Sequence, residues 1–271
     1  MGEQSKLASL ATSISLFIIV FILWQIYDII IMQFPLPIFP TQMLYLLIPS
    51  ISLVIFAFLV RLTGSSFKRH GYKRPVAISP SKCILLSGLF VVAYVFVTLA
   101  QGLFGTFGTA IFPTDPYQLI FRLALALVFS LASESIFRGY IFRNLVGNYG
   151  FFSALYASSI LFSLHNISIT AILEMNMHNI VMYIFTSIIP AFAAGIFLSF
   201  YFYKIGWSLL GPVAFRTIWL FLLEPLPIIS ASSPWWTALT FEIMAFVVLI
   251  FTVESIIREP LVRRRRYGLE G

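Results

Sequence analysis

The sequence predicts an all-α, polytopic membrane protein of about eight transmembrane helices, a bundle rather than a sheet. Three observations carry this. The 271 residues are 60% hydrophobic and only 10% charged, with a mean hydropathy of +0.97; a soluble domain carries roughly 25% charged residues. The apolar residues run in long blocks, not in amphipathic stripes. The charges collect beside those blocks, on alternating connections.

The predicted spans are 9–32, 42–62, 83–104, 118–145, 150–167, 178–203, 206–224 and 236–257. The first is long and has no clear small-residue cleavage site, which reads as a retained helix rather than a signal peptide. The Pro-rich segment from Phe34 to Pro40 follows as a short connection, because proline cannot continue a helix. A Gly-rich stretch from Gly102 to Gly108 ends the third span. Residues from Ser168 to Met177 read as a loop or a short interfacial helix. Pro190 lies inside the sixth span and predicts a kink. Pro225 and Pro227 end the seventh. The chain is expected to form a single membrane domain, 1–271, with a basic tail, 258–271, whose Arg263–Arg266 run anchors to lipid head groups.

Orientation follows from the basic residues. Arg61, Lys68, Arg69, Lys73, Arg74 and Lys82 flank the second connection, with Arg143, Lys204 and the tail arginines on the same side. That side is expected to be cytoplasmic, with both termini inside. Asp28, Asp115, Glu174 and Glu224 fall on the other side, and Arg122 is the exception. The formal charge of +7 therefore reads as a topology signal and a lipid contact, and nucleic acid is not an expected partner. Membrane lipids are. The one cysteine, Cys83, excludes an internal disulfide and a cysteine-rich metal site.

Ionisable groups at membrane depth are costly and are usually kept for a purpose. Glu134 and Arg138 are spaced i, i+4 and share a helical face. They read as a structural ion pair, or as a general base or part of an ion path. Arg216 lies about 11 residues into the seventh span, roughly 16 Å deep, which matches the depth of Glu134. A clamp of Arg138 and Arg216 on Glu134 is expected, and it leaves Glu134 a poor base. His165-Asn166 forms the next polar pair, after Phe162. His178-Asn179 falls at an interface, where a polar pair costs little. His70 sits in the basic connection and is expected to be solvated. The motifs of zinc, paired-aspartate and serine intramembrane proteases are absent from the sequence.

Three stretches carry a family resemblance: Ser133-Glu134-Ser135-Ile136-Phe137-Arg138-Gly139, then Leu161-Phe162-Ser163-Leu164-His165-Asn166, then Gly195 through Ile205-Gly206-Trp207-Ser208-Leu209-Leu210-Gly211-Pro212. Over roughly 118–224 the chain resembles the CPBP family, the CAAX-protease and bacteriocin-processing membrane proteins that include type II CAAX prenyl endopeptidases. The resemblance implies eight helices around a cavity open to the cytosol, and an intramembrane peptidase chemistry. It places catalytic positions at Glu134, Arg138, His165 and Asn166, and cavity positions at Ser133, Phe162 and Arg216. The departures matter as much. The first family glutamate, the expected water-activating base, falls at Ser133. His165 comes one residue before the position where the family has its histidine, which is Asn166. The third motif should fall near Phe215-Arg216-Thr217-Ile218-Trp219, and neither His nor Asn is there.

Two functions remain open. In one, the chain keeps the fold with an impaired site and acts as a binding or scaffold subunit for lipidated or transmembrane segments, or for other membrane proteins. In the other, it is an active, divergent endopeptidase that uses Glu134 and His165 on CAAX-type or membrane-embedded peptides. A transporter would need a continuous polar path, and only one cluster is visible. No cofactor is expected. His165 and Glu134 are two ligands where a catalytic zinc has three from the protein.

Overall fold

The computed structural model describes residues 3–33, 38–101, 116–223 and 235–257. Within them every regular element is helical. The helices are α1 (Glu3–Gln33), α2 (Ile38–Leu62), α3 (Pro80–Gln101), α4 (Pro116–Tyr149), α5 (Phe151–His165), α6 (Ile169–Glu174), α7 (Met177–Lys204), α8 (Leu210–Leu223) and α9 (Trp235–Ile256). The all-α bundle is what the sequence predicts, and each of the eight apolar stretches coincides with a helix. Lys6–Ile30, Pro116–Tyr149 and Met177–Lys204 are long and apolar enough to cross a membrane. Leu46–Leu62, Pro80–Phe96, Phe151–His165 and Leu210–Leu222 are shorter apolar helices. Residues 34–37, the Gly102–Gly108 stretch, Asp115, Glu224, Pro225, Pro227 and the tail 258–271 lie outside the described residues.

The burial pattern is that of a bundle in lipid. Ile22, Val54, Phe96 and Phe251 face outward, while Ser13, Ser52, Ser87, Ser130, Ser159 and Ser199 are buried. Without water to drive helices together, close approach and small hydroxyl-bearing residues do so. Ser159 and Ser52 return their hydroxyls to the carbonyls one turn back, Leu155 and Ile48. The centre is aromatic: Phe90, Phe137, Phe197, Tyr201, Phe215 and Phe246 are all buried. Lys204 at the end of α7 reaches Glu254 on α9 at 2.6 Å.

Two of the prolines bear on the predicted connection and kink. The predicted connection ends earlier than Pro40: α2 already begins at Ile38, and Pro40 occupies its first turn, where the missing N–H has no helical partner anyway. In α7, a π-helical turn over Ile184–Ile188 directly precedes Pro190. The widened turn is where the proline disrupts the hydrogen-bond ladder. Segment 168–177 holds the short helix α6.

α4 also contains a π-helical turn, Ser135–Phe142. The connection after α2 folds onto it. His70 Nδ1–H donates to Gly139 O at 2.8 Å, Ser65 Oγ–H donates to His70 Nε2 at 3.0 Å, and the His70 ring stacks on Tyr140. Tyr72 Oη and Ser135 Oγ are 2.6 Å apart. The expectation of a solvated His70 is therefore wrong: the residue is 5% exposed. The basic neighbours Lys68 and Arg69 stay in water while the imidazole turns in against the bundle. Burial, and the nearby Arg69 and Arg143, push the His70 pKa below its ordinary value, while the Gly139 hydrogen bond opposes them. The folded protein thus favours neutral His70. Its contribution to stability is complete above the unfolded pKa of about 6.5 and falls away as pH drops below it. A thermal-unfolding series from pH 7.5 to 5 should show this loss in wild type and a flatter profile in His70→Gln.

Candidate functional site

Glu134, the last residue before the π turn of α4, is fully buried. Arg138, one turn on, donates from Nη1 to Glu134 Oε1 at 3.2 Å. Arg216, from the middle of α8, donates from Nη1 to the same oxygen at 3.4 Å. Arg138 Nη2 also donates to Gly195 O of α7 at 3.3 Å. Both guanidiniums lie over the ring of Phe162 on α5, at 4.1 Å for Arg138 and 4.7 Å for Arg216. Four helices thus meet on one carboxylate: α4, α5, α7 and α8. Arg138 is 1% exposed and Arg216 7%, so these charges have little water to fall back on. Removing one partner from such a buried cluster leaves a bare charge. The depth match that paired Glu134 with Arg216 in the sequence is realised in space.

The remaining predicted residues part company here. Ser133 is buried and donates to Ser130 O at 3.4 Å, so no carboxylate or base stands at that position. His165 is buried against Trp24 and Phe137, and its Nδ1 has no hydrogen-bond partner. Among the described residues no hydrogen bond joins it to Glu134. Asn166 donates from Nδ2 to Phe162 O at 2.6 Å, and its backbone carbonyl accepts from Tyr183. His178 is exposed at the start of α7, where Asn176 caps the backbone N–H of Asn179 at 2.9 Å.

A cavity of about 340 Å³ opens beside this cluster. Phe162, Asn166 and Arg216 line it, together with Pro190, Ala194 and Leu198 of α7. Arg216 therefore faces two ways, towards Glu134 and towards the cavity, whereas Glu134, Arg138 and His165 do not line it. The cavity also holds a group that the sequence reading passed over. Glu242 of α9 lines it and is hydrogen-bonded by Tyr94, whose ring packs on Trp219 and Phe246. The signal was present: a carboxylate deep inside the last apolar run is the kind of intramembrane charge that marks a site. An apolar wall with a few convergent polar groups is the usual make-up of a ligand pocket. Among the described residues no three His, Cys, Asp or Glu side chains gather as a metal site.

Residues 115–222 match the family model described as type II CAAX prenyl endopeptidase Rce1-like. This bears out the CPBP resemblance, and the matched segment runs through α4, α5, α7 and α8, the four helices that build the ion cluster. Over these residues the chain is similar to CAAX-protease-like membrane proteins, and together with the apolar helices the likeness suggests an integral membrane protein. No curated protein matches the chain.

Proposed function

We propose that this Rce1-like protein binds a lipidated or transmembrane peptide segment in the cavity between α5, α7, α8 and α9, and that it hydrolyses peptides poorly. One observation carries the reading: Arg216 holds Glu134 Oε1 together with Arg138, so the carboxylate of the resembling motif is engaged by two cations and does not line the cavity, while Glu242, which does line it, is hydrogen-bonded by Tyr94. Peptide hydrolysis needs an activated water and a stabilised oxyanion. Arg216 can serve the second need, but as a cation it takes no proton from water. Serine at position 133 does not replace the missing glutamate. A peptide carbonyl or terminal carboxylate against Arg216, with its apolar chain along Pro190, Ala194 and Leu198, fits what lines the cavity. With both termini cytoplasmic, as expected from the basic connections, Asn166 at the end of α5, Trp219 and Leu220 late in α8 and Glu242 early in α9 would put this cavity in the half of the bundle away from the cytosol, so a segment would reach it from the bilayer.

A second reading has one observation in its favour. Glu134 Oε2 is buried with no hydrogen-bond partner, so it can accept a water. That is the divergent endopeptidase using Glu134 and His165.

The test is a prenylated C-terminal CAAX-type peptide offered to the purified protein. Wild type is expected to bind it without cleaving it, and Arg216→Leu to weaken binding by about tenfold or more, the worth of one hydrogen bond to a charged group. Cleavage by wild type that disappears in both Glu134→Ala and His165→Ala would replace this reading with the second.

A further inference from the structure

A second cavity, of about 280 Å³, lies at the end of the bundle that carries the basic connection. We propose that it is a binding site for a phosphate-bearing polyol, the headgroup of an anionic glycerophospholipid. This stands apart from the peptide reading and uses none of its residues.

Arg69 comes from the connection after α2, and Arg143, Asn144 and Asn148 from the last turns of α4. Thr12 comes from α1, and among the described residues no carboxylate lines the cavity. The two arginines are close enough for their like charges to repel, and Arg143 also repels Lys73. Among the described residues neither arginine is paired with an acid. Arg143 is held in place by stacking: its guanidinium lies 4.0 Å over the Trp207 ring. Stacking fixes the plane and leaves the N–H edge to donate, the geometry that suits phosphate. Two positioned cations with no acidic partner among the described residues, in a walled cavity, are stabilised by an anion.

The polyol follows from Asn148. Its Nδ2 donates to Asn144 O at 3.0 Å, which fixes the amide orientation, and its Oδ1 is buried with no partner. That oxygen requires a donor, which a phosphodiester group lacks and a glycerol hydroxyl supplies. His70 offers nothing to the ligand, since both ring nitrogens are engaged by Gly139 O and Ser65; it shapes the wall. The outer faces beside the cavity are apolar: Leu7 and Ile14 on α1, Phe58 and Leu62 on α2 are all exposed. Acyl chains lying there would leave the headgroup at the arginines. This is the observation that favours a lipid over a soluble phosphate ester.

The experiment uses the full chain in zwitterionic detergent and titrates short-chain phosphatidylglycerol, phosphatidylcholine of equal chain length, and inorganic phosphate. Binding and apparent Tm are followed together. Phosphatidylglycerol should saturate and raise Tm, and phosphatidylcholine should not. Arg69→Gln, at an exposed position, should weaken binding by about tenfold or more. The control Lys68→Gln, on the same connection but outside the cavity, should stay within about twofold. Arg143→Gln should act like Arg69→Gln; if it fails to fold, Arg69→Gln decides alone. Saturation by inorganic phosphate that competes with the lipid would support phosphate as the recognised group. No saturation, or equal weakening by Lys68→Gln and Arg69→Gln, overturns the proposal in favour of diffuse surface charge.

Discussion

Replacing Glu134 with glutamine is expected to cost about 3–5 kcal/mol of stability, the range for stripping one partner from a buried ion pair. The amide keeps an acceptor at Oε1, so the two hydrogen bonds at 3.2 and 3.4 Å can persist in shape. The charge is what disappears. Arg138 and Arg216 then share an apolar pocket around Phe162 and Phe129 with no anion between them. The apparent Tm in detergent should fall by about 10 °C or more. A companion variant separates charge from packing. Glu134→Gln combined with Arg216→Leu leaves one guanidinium, which keeps its bond to Gly195 O and its place over Phe162. The double variant should recover part of the loss. If Glu134→Gln alone melts with wild type, the carboxylate is not the counter-ion of this cluster, and the argument for an occupied, unreactive Glu134 goes with it.

Much of this was legible in the sequence. The helices were readable because lipid demands long apolar blocks, and composition reports those directly. The Glu134–Arg216 contact was readable because a mid-membrane cation needs an anion, and depth along two helices made Glu134 the nearest candidate. Three features escaped for separate physical reasons. The π turns at Ser135–Phe142 and Ile184–Ile188 differ from α-helix by a small change in winding, which leaves no mark in composition, although Pro190 pointed to the second. His70 was misjudged because charged neighbours mark a solvated segment. Its burial depends on Gly139 O and the Tyr140 ring, some seventy residues away. Glu242 was missed because an isolated acid has no local partner; Tyr94 and Arg216 reach its cavity from other helices.

Gly195→Val should be strongly damaging although it alters no charged side chain. α5 and α7 approach closely here. A Cβ at Gly195 would stand 2.9 Å from Ser159 Cβ and 3.0 Å from Ser159 Cα. The Cα cannot rotate out of the way, so α5 itself has to move. Overpacking of this kind costs about 1–3 kcal/mol. A second loss comes with it. Gly195 O accepts from Arg138 Nη2, so a displaced α7 weakens a hydrogen bond to a charged group worth about 1.5–3 kcal/mol. The Ser158–Ser199 hydroxyl contact at 3.4 Å spans the same two helices and would open as well. Gly195→Ala should show the first cost in reduced form, and Gly195→Val both. Pro190, Ala194 and Leu198 of α7 wall the cavity beside Arg216. Peptide affinity should therefore fall in step with Tm across Gly195→Ala and Gly195→Val, although neither variant alters a side chain in the cavity. A Gly195→Val protein with wild-type Tm would mean that the two helices are not held at this distance. A normal affinity despite a lowered Tm would place the peptide elsewhere, because a wall that has moved cannot keep the same fit.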